Sequence, residues 1–129
     1  MSYALTRTVS APYAETVEAV KTALGEQGFG VLTEIDMKAT LKKKLDVDVP
    51  AQVILGACRP PLAYASLQAE PSIGLLLPCN VVVREAQDGT LVEVVDPETM
   101  VSMTDNEDLR PVADEAKQRL EKALASLSA

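Results

Sequence analysis

Few side chains in this chain are equipped for chemistry. Its 129 residues include two cysteines, Cys58 and Cys79, and no histidine. Without imidazole there is no usual general base, no Ser-His or Cys-His pair, and none of the commonest metal ligand. Thiol chemistry remains. Cys58 stands in ILGACRPPLAYASL, just before Pro60-Pro61, which open a helix. The neighbouring Arg59 and the positive end of that helix both favour an ionised sulfur, which makes Cys58 the candidate reactive thiol. Cys79 stands in EPSIGLLLPCNVVV, and strand parity groups it with Leu75, Leu77, Val81 and Val83 on an apolar face. A free cysteine in such surroundings behaves as a small, weakly nucleophilic hydrophobe. The two are too far apart in sequence for a CxxC motif. If strands three and four pair, their sulfurs meet, with Cys79 as resolving partner in a thiol-dependent redox or sulfur-transfer reaction.

The polar candidates are fewer. Asn80 is unusual in a strand, and Pro78 removes a ladder N–H two residues earlier, so the segment is expected to be an edge or a bulge of the kind found beside binding sites. Glu70 is a lone carboxylate before Pro71, and without a second acid nearby it supports no acid–base pair. No catalytic residue is assigned. Two thiols do not complete a zinc site, and although the thioethers of Met100 and Met103 suit copper(I), their spacing fits core packing as well. No metal or other cofactor is expected. Lys38, Lys42, Lys43 and Lys44 form a basic cluster, which Glu34, Asp36, Asp46 and Asp48 balance as a solvated face.

A formal charge of −7 repels phosphate backbones and anionic lipid, and three tyrosines with one phenylalanine leave little to stack on bases. Nucleic acid is therefore not an expected partner. No apolar run approaches the roughly 18 residues needed to span a bilayer. MSYALTRTVSAPYAET lacks the apolar stretch of an export signal, so a cytoplasmic location with reduced thiols is expected. The length suits one domain over residues 1–129.

Periodicity supplies the elements that must hold these residues. Tyr3 to Val9 alternates as a strand, and Pro12 to Gln27 carries Val17, Val20 and Leu24 at helical spacing. Gly28 is the expected left-handed cap, with Leu24 and Phe29 as the hydrophobic pair of a Schellman ending. GVLTEIDM reads as a second strand, with Val31, Thr33, Ile35 and Met37 on one side. KATLKKKL reads as a short helix, AQVILGA as a third strand and LAYASLQAE as another short helix. The longest strand is expected from Leu75 to Glu85, joined through Asp88-Gly89 to LVEVV as a hairpin. DPETM reads as a turn. An amphipathic helix runs from about Glu107 to Leu127. Antiparallel strands with helices on one face make a two-layer α+β sandwich.

VLTEIDMKATLKKKL, ILGACRPPLAYASL and AEPSIGLLLPCNVVV, followed by the DPETM segment, resemble the hallmark segments of the domain of unknown function 302 family, in the family's order and over nearly the whole chain. The resemblance implies a β-α-β4-α domain of TATA-box-binding-protein-like topology, agreeing with the order read from periodicity. It implies small bacterial or archaeal proteins among which dimers occur, and no activity. The chain departs from the family pattern at Arg59, where asparagine is usual, and at Tyr64, where many members carry histidine. The preferred reading is a non-enzymatic, cytoplasmic homodimer that binds a small ligand or a protein partner near the CRPP and LPCN segments, with Cys58, Arg59, Glu70, Cys79 and Asn80 as ligand-binding residues. Thiol redox chemistry and thiolate–thioether metal binding are the alternatives.

Overall fold

The computed structural model describes residues 3–128. Strand β1 (Ala4–Val9) leads through Pro12 into helix α1 (Tyr13–Glu26). The helix ends as its sequence predicts. Gly28 adopts φ +83, the Phe29 N–H donates to the Leu24 carbonyl at 3.0 Å, and the Gly28 N–H donates to the Gly25 carbonyl at 3.0 Å. These two bonds define a Schellman motif, and Phe29 is buried beside Leu24. Strand β2 (Gly30–Asp36) runs directly into α2 (Met37–Leu45), because the Asp36 carboxylate accepts from the Ala39 N–H at 2.9 Å and caps the helix. No α2 side chain is buried, and Lys42 pairs with Asp46 at 2.9 Å and Asp48 at 3.6 Å in solvent, so its lysines form the solvated face expected of them.

The remaining elements are β3 (Gln52–Cys58), α3 (Pro60–Ala69), a 3-10 helix (Pro71–Leu76), β4 (Cys79–Ala86), β5 (Gly89–Val95), α4 (Glu98–Thr104), a 3-10 turn (Glu107–Leu109) and α5 (Arg110–Ala125). The five strands form one sheet in the order β1-β5-β4-β3-β2, with every neighbouring pair antiparallel. Helices α1 and α5 bury one face, where Val20, Leu24, Leu120 and Leu124 meet Leu55, Val81, Val83, Val92 and Val94. Burying each such side chain fully contributes about 1.5–3 kcal/mol. The result is the expected two-layer α+β sandwich. No helix among the described residues is long and apolar enough to cross a membrane.

Three local expectations are overturned. Leu75 and Leu76 belong to the 3-10 helix and not to a strand, and β4 begins only at Cys79, after the cis Leu77-Pro78 bond. An apolar run such as IGLLL carries no period of its own, so its content of leucine cannot distinguish strand from helix. The register of β2 shifts between Val31 and Thr33, so Val31 packs against the main core while Thr33 and Ile35 align with Gly56 and Ile54 on the opposite face. One extra residue reverses parity along the rest of a strand. The DPETM segment, read as a turn, continues into α4.

Two glycines answer to close contacts. A Cβ on Gly89, at φ +140, would come within 2.1 Å of the Val9 carbonyl oxygen, so glycine lets β1 close against the hairpin. A Cβ on Gly56 would lie 2.1 Å from Thr33 Oγ1 and 2.8 Å from the Pro78 ring. Threonine can shift its hydroxyl, but the proline ring cannot yield in the same way. Gly56→Ala is therefore expected to destabilise the fold by about 1–3 kcal/mol in a urea-unfolding measurement, the usual cost of overpacking. An unchanged midpoint would contradict the contact.

Candidate functional site

The CRPP and LPCN segments meet at the end of the sheet where β3 finishes and β4 starts. A second, smaller core holds this corner together: Ile73, Met100, Val101, Leu109 and Ala113, with Ala69, Leu76 and Leu77 packed against them. Asn106 ties its edges. Its amide Nδ2 donates to the Ala69 carbonyl at 3.0 Å and to Glu70 Oε1 at 2.9 Å, while its Oδ1 accepts from the Asp108 N–H at 2.9 Å. Asp96 is similarly committed, accepting from the Glu98 N–H at 3.0 Å and from Lys117 Nζ at 3.2 Å. That ion pair raises the Lys117 pKa through the hydrogen bond. Arg110 joins Glu98 to Glu107.

Two hollows open on this corner. The larger, about 270 Å³, lies between the 3-10 helix, α4 and the ends of β4 and β5. Its walls are mainly Leu75, Leu76, Leu77, Pro78, Met100 and Met103, with Cys79, Asn80 and Asp96 among the remaining residues. The rim is strongly apolar, since Leu75 is 86% and Met103 66% exposed. Asn80 is exposed and its side chain makes no hydrogen bond among the described residues, leaving a free amide at the mouth. The smaller hollow, about 20 Å³, lies behind it among Cys58, Arg59, Leu62, Met100, Val112 and their neighbours. Leu77, Pro78, Cys79 and Met100 line both and form the partition.

Of the residues singled out in the sequence, Cys58, Arg59 and Cys79 therefore meet at the small hollow, and Cys79 and Asn80 at the large one. Glu70 lines neither and is held by Asn106. Asn106 and Asp96 carry only weak signals in the sequence, an asparagine before EDL and an aspartate before PE, both ordinary openings of a helical turn. Met100 was noticed only as a soft donor or as core, and it proves to stand between the two hollows.

Cys79 pairs with Ala57 across the β3–β4 ladder, so Cys58 lies one residue from that pair. Burial pushes the Cys79 thiol up to about 11, with a further contribution from Cys58. The helix beside Cys58 offers less than its sequence suggests. Pro60 and Pro61 carry no N–H, and those of Leu62 and Ala63 both donate to the Arg59 carbonyl at 3.0 Å, so no donor of the first turn is spare. The Arg59 guanidinium packs over Gly28, with the Glu115 carboxylate 3.8 Å from its Nε. Both thiols are unpaired.

The model of the domain of unknown function DUF302 matches residues 5–127. The chain belongs to the DUF302 family. The crystal structure of the uncharacterized conserved protein DUF302 from Bacillus stearothermophilus is similar to it, with 29% identity and a TM-score of 0.90 over 97% of this chain and 98% of that one. No curated protein matches the sequence.

For this DUF302 domain, the shifted thiol has a measurable consequence. With Cys79 raised from 9.0 to about 11, its thiolate fraction at neutral pH falls about a hundredfold, and iodoacetamide should modify it about a hundredfold more slowly than a free cysteine. The raised value also means that the folded chain holds this proton where the unfolded chain has lost it. Its contribution to stability is present below pH 9 and is lost between pH 9 and about 11. Denaturation of the native chain against Cys79→Ala should expose that extra alkaline loss, and parallel pH profiles would contradict it.

Proposed function

We propose that the chain, as a single domain over residues 1–129, is a non-enzymatic binding module of the cytoplasm that takes a small, mainly apolar molecule in the 270 Å³ cleft. The observation that carries this reading is the cleft itself: an apolar hollow, rimmed by exposed Leu75 and Met103, that converges on the LPCN segment. Its volume lies near the lower end of the roughly 300–1,000 Å³ of ordinary ligand sites, which sets the ligand at the size of one or two rings. The polar end of the ligand is neutral or weakly basic. Asp96 is already matched by Lys117, Asn80 is uncharged, and no cation lines the cleft to receive an anion. Nucleic acid has no place in this reading, given a net charge of −7.

Thiol redox chemistry fits less well. A resolving cysteine must attack as thiolate, and burial keeps Cys79 protonated up to about pH 11. The reading includes a homodimer. In its support, Ile35 is 46% exposed and continues a cross-strand row through Ile54 and Val82 on the face opposite α1 and α5. Sedimentation should show a dimer for the native chain and a monomer for Ile35→Glu; a native monomer would remove the dimer from the reading.

The cleft is tested with the neutral, environment-sensitive dye 6-propionyl-2-(dimethylamino)naphthalene, whose two fused rings match this size. The native chain should bind it near one per chain. Leu75→Glu and Met103→Glu, both at exposed rim positions, should each weaken binding about tenfold, a loss of ~1.4 kcal/mol. Equal binding by native and variant chains would contradict the assignment.

A further inference from the structure

The small hollow has a different chemistry from the cleft. At about 20 Å³ it exceeds the ~10–15 Å³ that one water-sized occupant needs, and it is too small for an organic ligand. Among its lining residues are the three sulfur-bearing side chains Cys58, Cys79 and Met100, which come from three separate elements. Strand parity alone would turn Cys58 and Cys79 to opposite faces, since Cys58 is offset by one residue from the Ala57–Cys79 pair. Both nevertheless line the same hollow. Cys58 is the last residue of β3, where the chain leaves the sheet for α3. The other walls are apolar apart from Arg59 and Ser66, and the Ser66 hydroxyl donates to the Leu62 carbonyl at 2.8 Å.

We propose that Cys58, Cys79 and Met100 form a binding site for one copper(I) ion. Two thiolates and a thioether are a soft donor set, which selects copper(I) over harder cations. Zinc is disfavoured because its structural sites need four ligands, and no group of three or more Cys, His, Asp or Glu side chains among the described residues is placed to hold a metal. Binding is a simple exchange. Two S–H bonds break, three Cu–S bonds form, two to the thiolates and one dative bond from the Met100 thioether, two protons leave to solvent, and the oxidation states of copper and sulfur do not change. The bis-thiolate complex carries one negative charge, and Arg59 stands in the same lining to balance it. Its Nε is buried without a hydrogen-bond partner, since the Glu115 carboxylate at 3.8 Å is beyond bonding range. This site depends on the sulfurs and not on any occupant of the neighbouring cleft.

The test is anaerobic titration of the reduced native chain with copper(I) against bicinchoninate. The native chain should withhold one equivalent. Cys58→Ser and Cys79→Ser should each lower the affinity by more than the ~10–100-fold that loss of an outer partner costs, and Met100→Leu by about tenfold. Met103→Leu should leave it unchanged, because Met103 lines only the larger cleft. Bicinchoninate holding all the copper, or a Cys58→Ser/Cys79→Ser double variant that retains it, would overturn the proposal. If circular dichroism shows the cysteine variants unfolded, copper-edge X-ray absorption of the native complex decides: a first shell of sulfur alone supports the site, and nitrogen or oxygen neighbours overturn it.

Discussion

Pro78 lies across β3 because Gly56 has no side chain to oppose it. From this contact the geometry of the corner follows. With Pro78 seated over Gly56, β4 starts at Cys79 opposite Ala57, and alternation places Cys79 with the buried Val81 and Val83 while Asn80 turns to the other face opposite Gly56. The leucines ahead of Pro78 are released from the sheet into a 3-10 helix. Ile73 from that helix anchors the second core, while Leu75 remains outside at the rim of the cleft. A side chain at position 56 would disturb the partition between the two hollows along with the ladder.

The partition explains why one short motif serves two environments. Its four residues, Leu77, Pro78, Cys79 and Met100, each have a hollow on either side. The cleft is open, apolar and rimmed by exposed leucine and methionine. The hollow behind it is small and is lined by the sulfur-bearing residues Cys58, Cys79 and Met100. The polar groups around the corner are consumed in holding it: Asn106 links the end of α3 to the turn before α5, Asp96 opens α4 and pairs with Lys117, and Arg110 gathers Glu98 and Glu107. What remains for a ligand is apolar surface, one free amide and soft sulfur.

Much of the scaffold was legible in the sequence because it rests on local signals. The Gly28-Phe29 ending of α1, the Asp88-Gly89 hairpin and the stripe of Ala113, Ala116 and Leu120 on α5 each depend on neighbours a few positions apart, and each appears as read. The site was legible only in part. The meeting of Cys58 and Cys79 depended on strand pairing, which spacing could raise as a condition and could not decide. The 3-10 helix escaped because the leucine run has no period, and α4 escaped because seven residues give little room for one. Glu70 drew attention as an isolated acid. Its partner, Asn106, lies far along the chain and only the fold brings it near.

Methyl-resolved NMR during titration with hexanol shows whether the cleft beside the LPCN segment receives an apolar ligand, as proposed above. Saturable shifts are expected in the methyl groups of Leu75, Leu76, Leu77, Met100 and Met103, with those of Leu24 and Leu120 in the main core unmoved. Shifts spread evenly over the surface, or centred on leucines away from this corner, would contradict it.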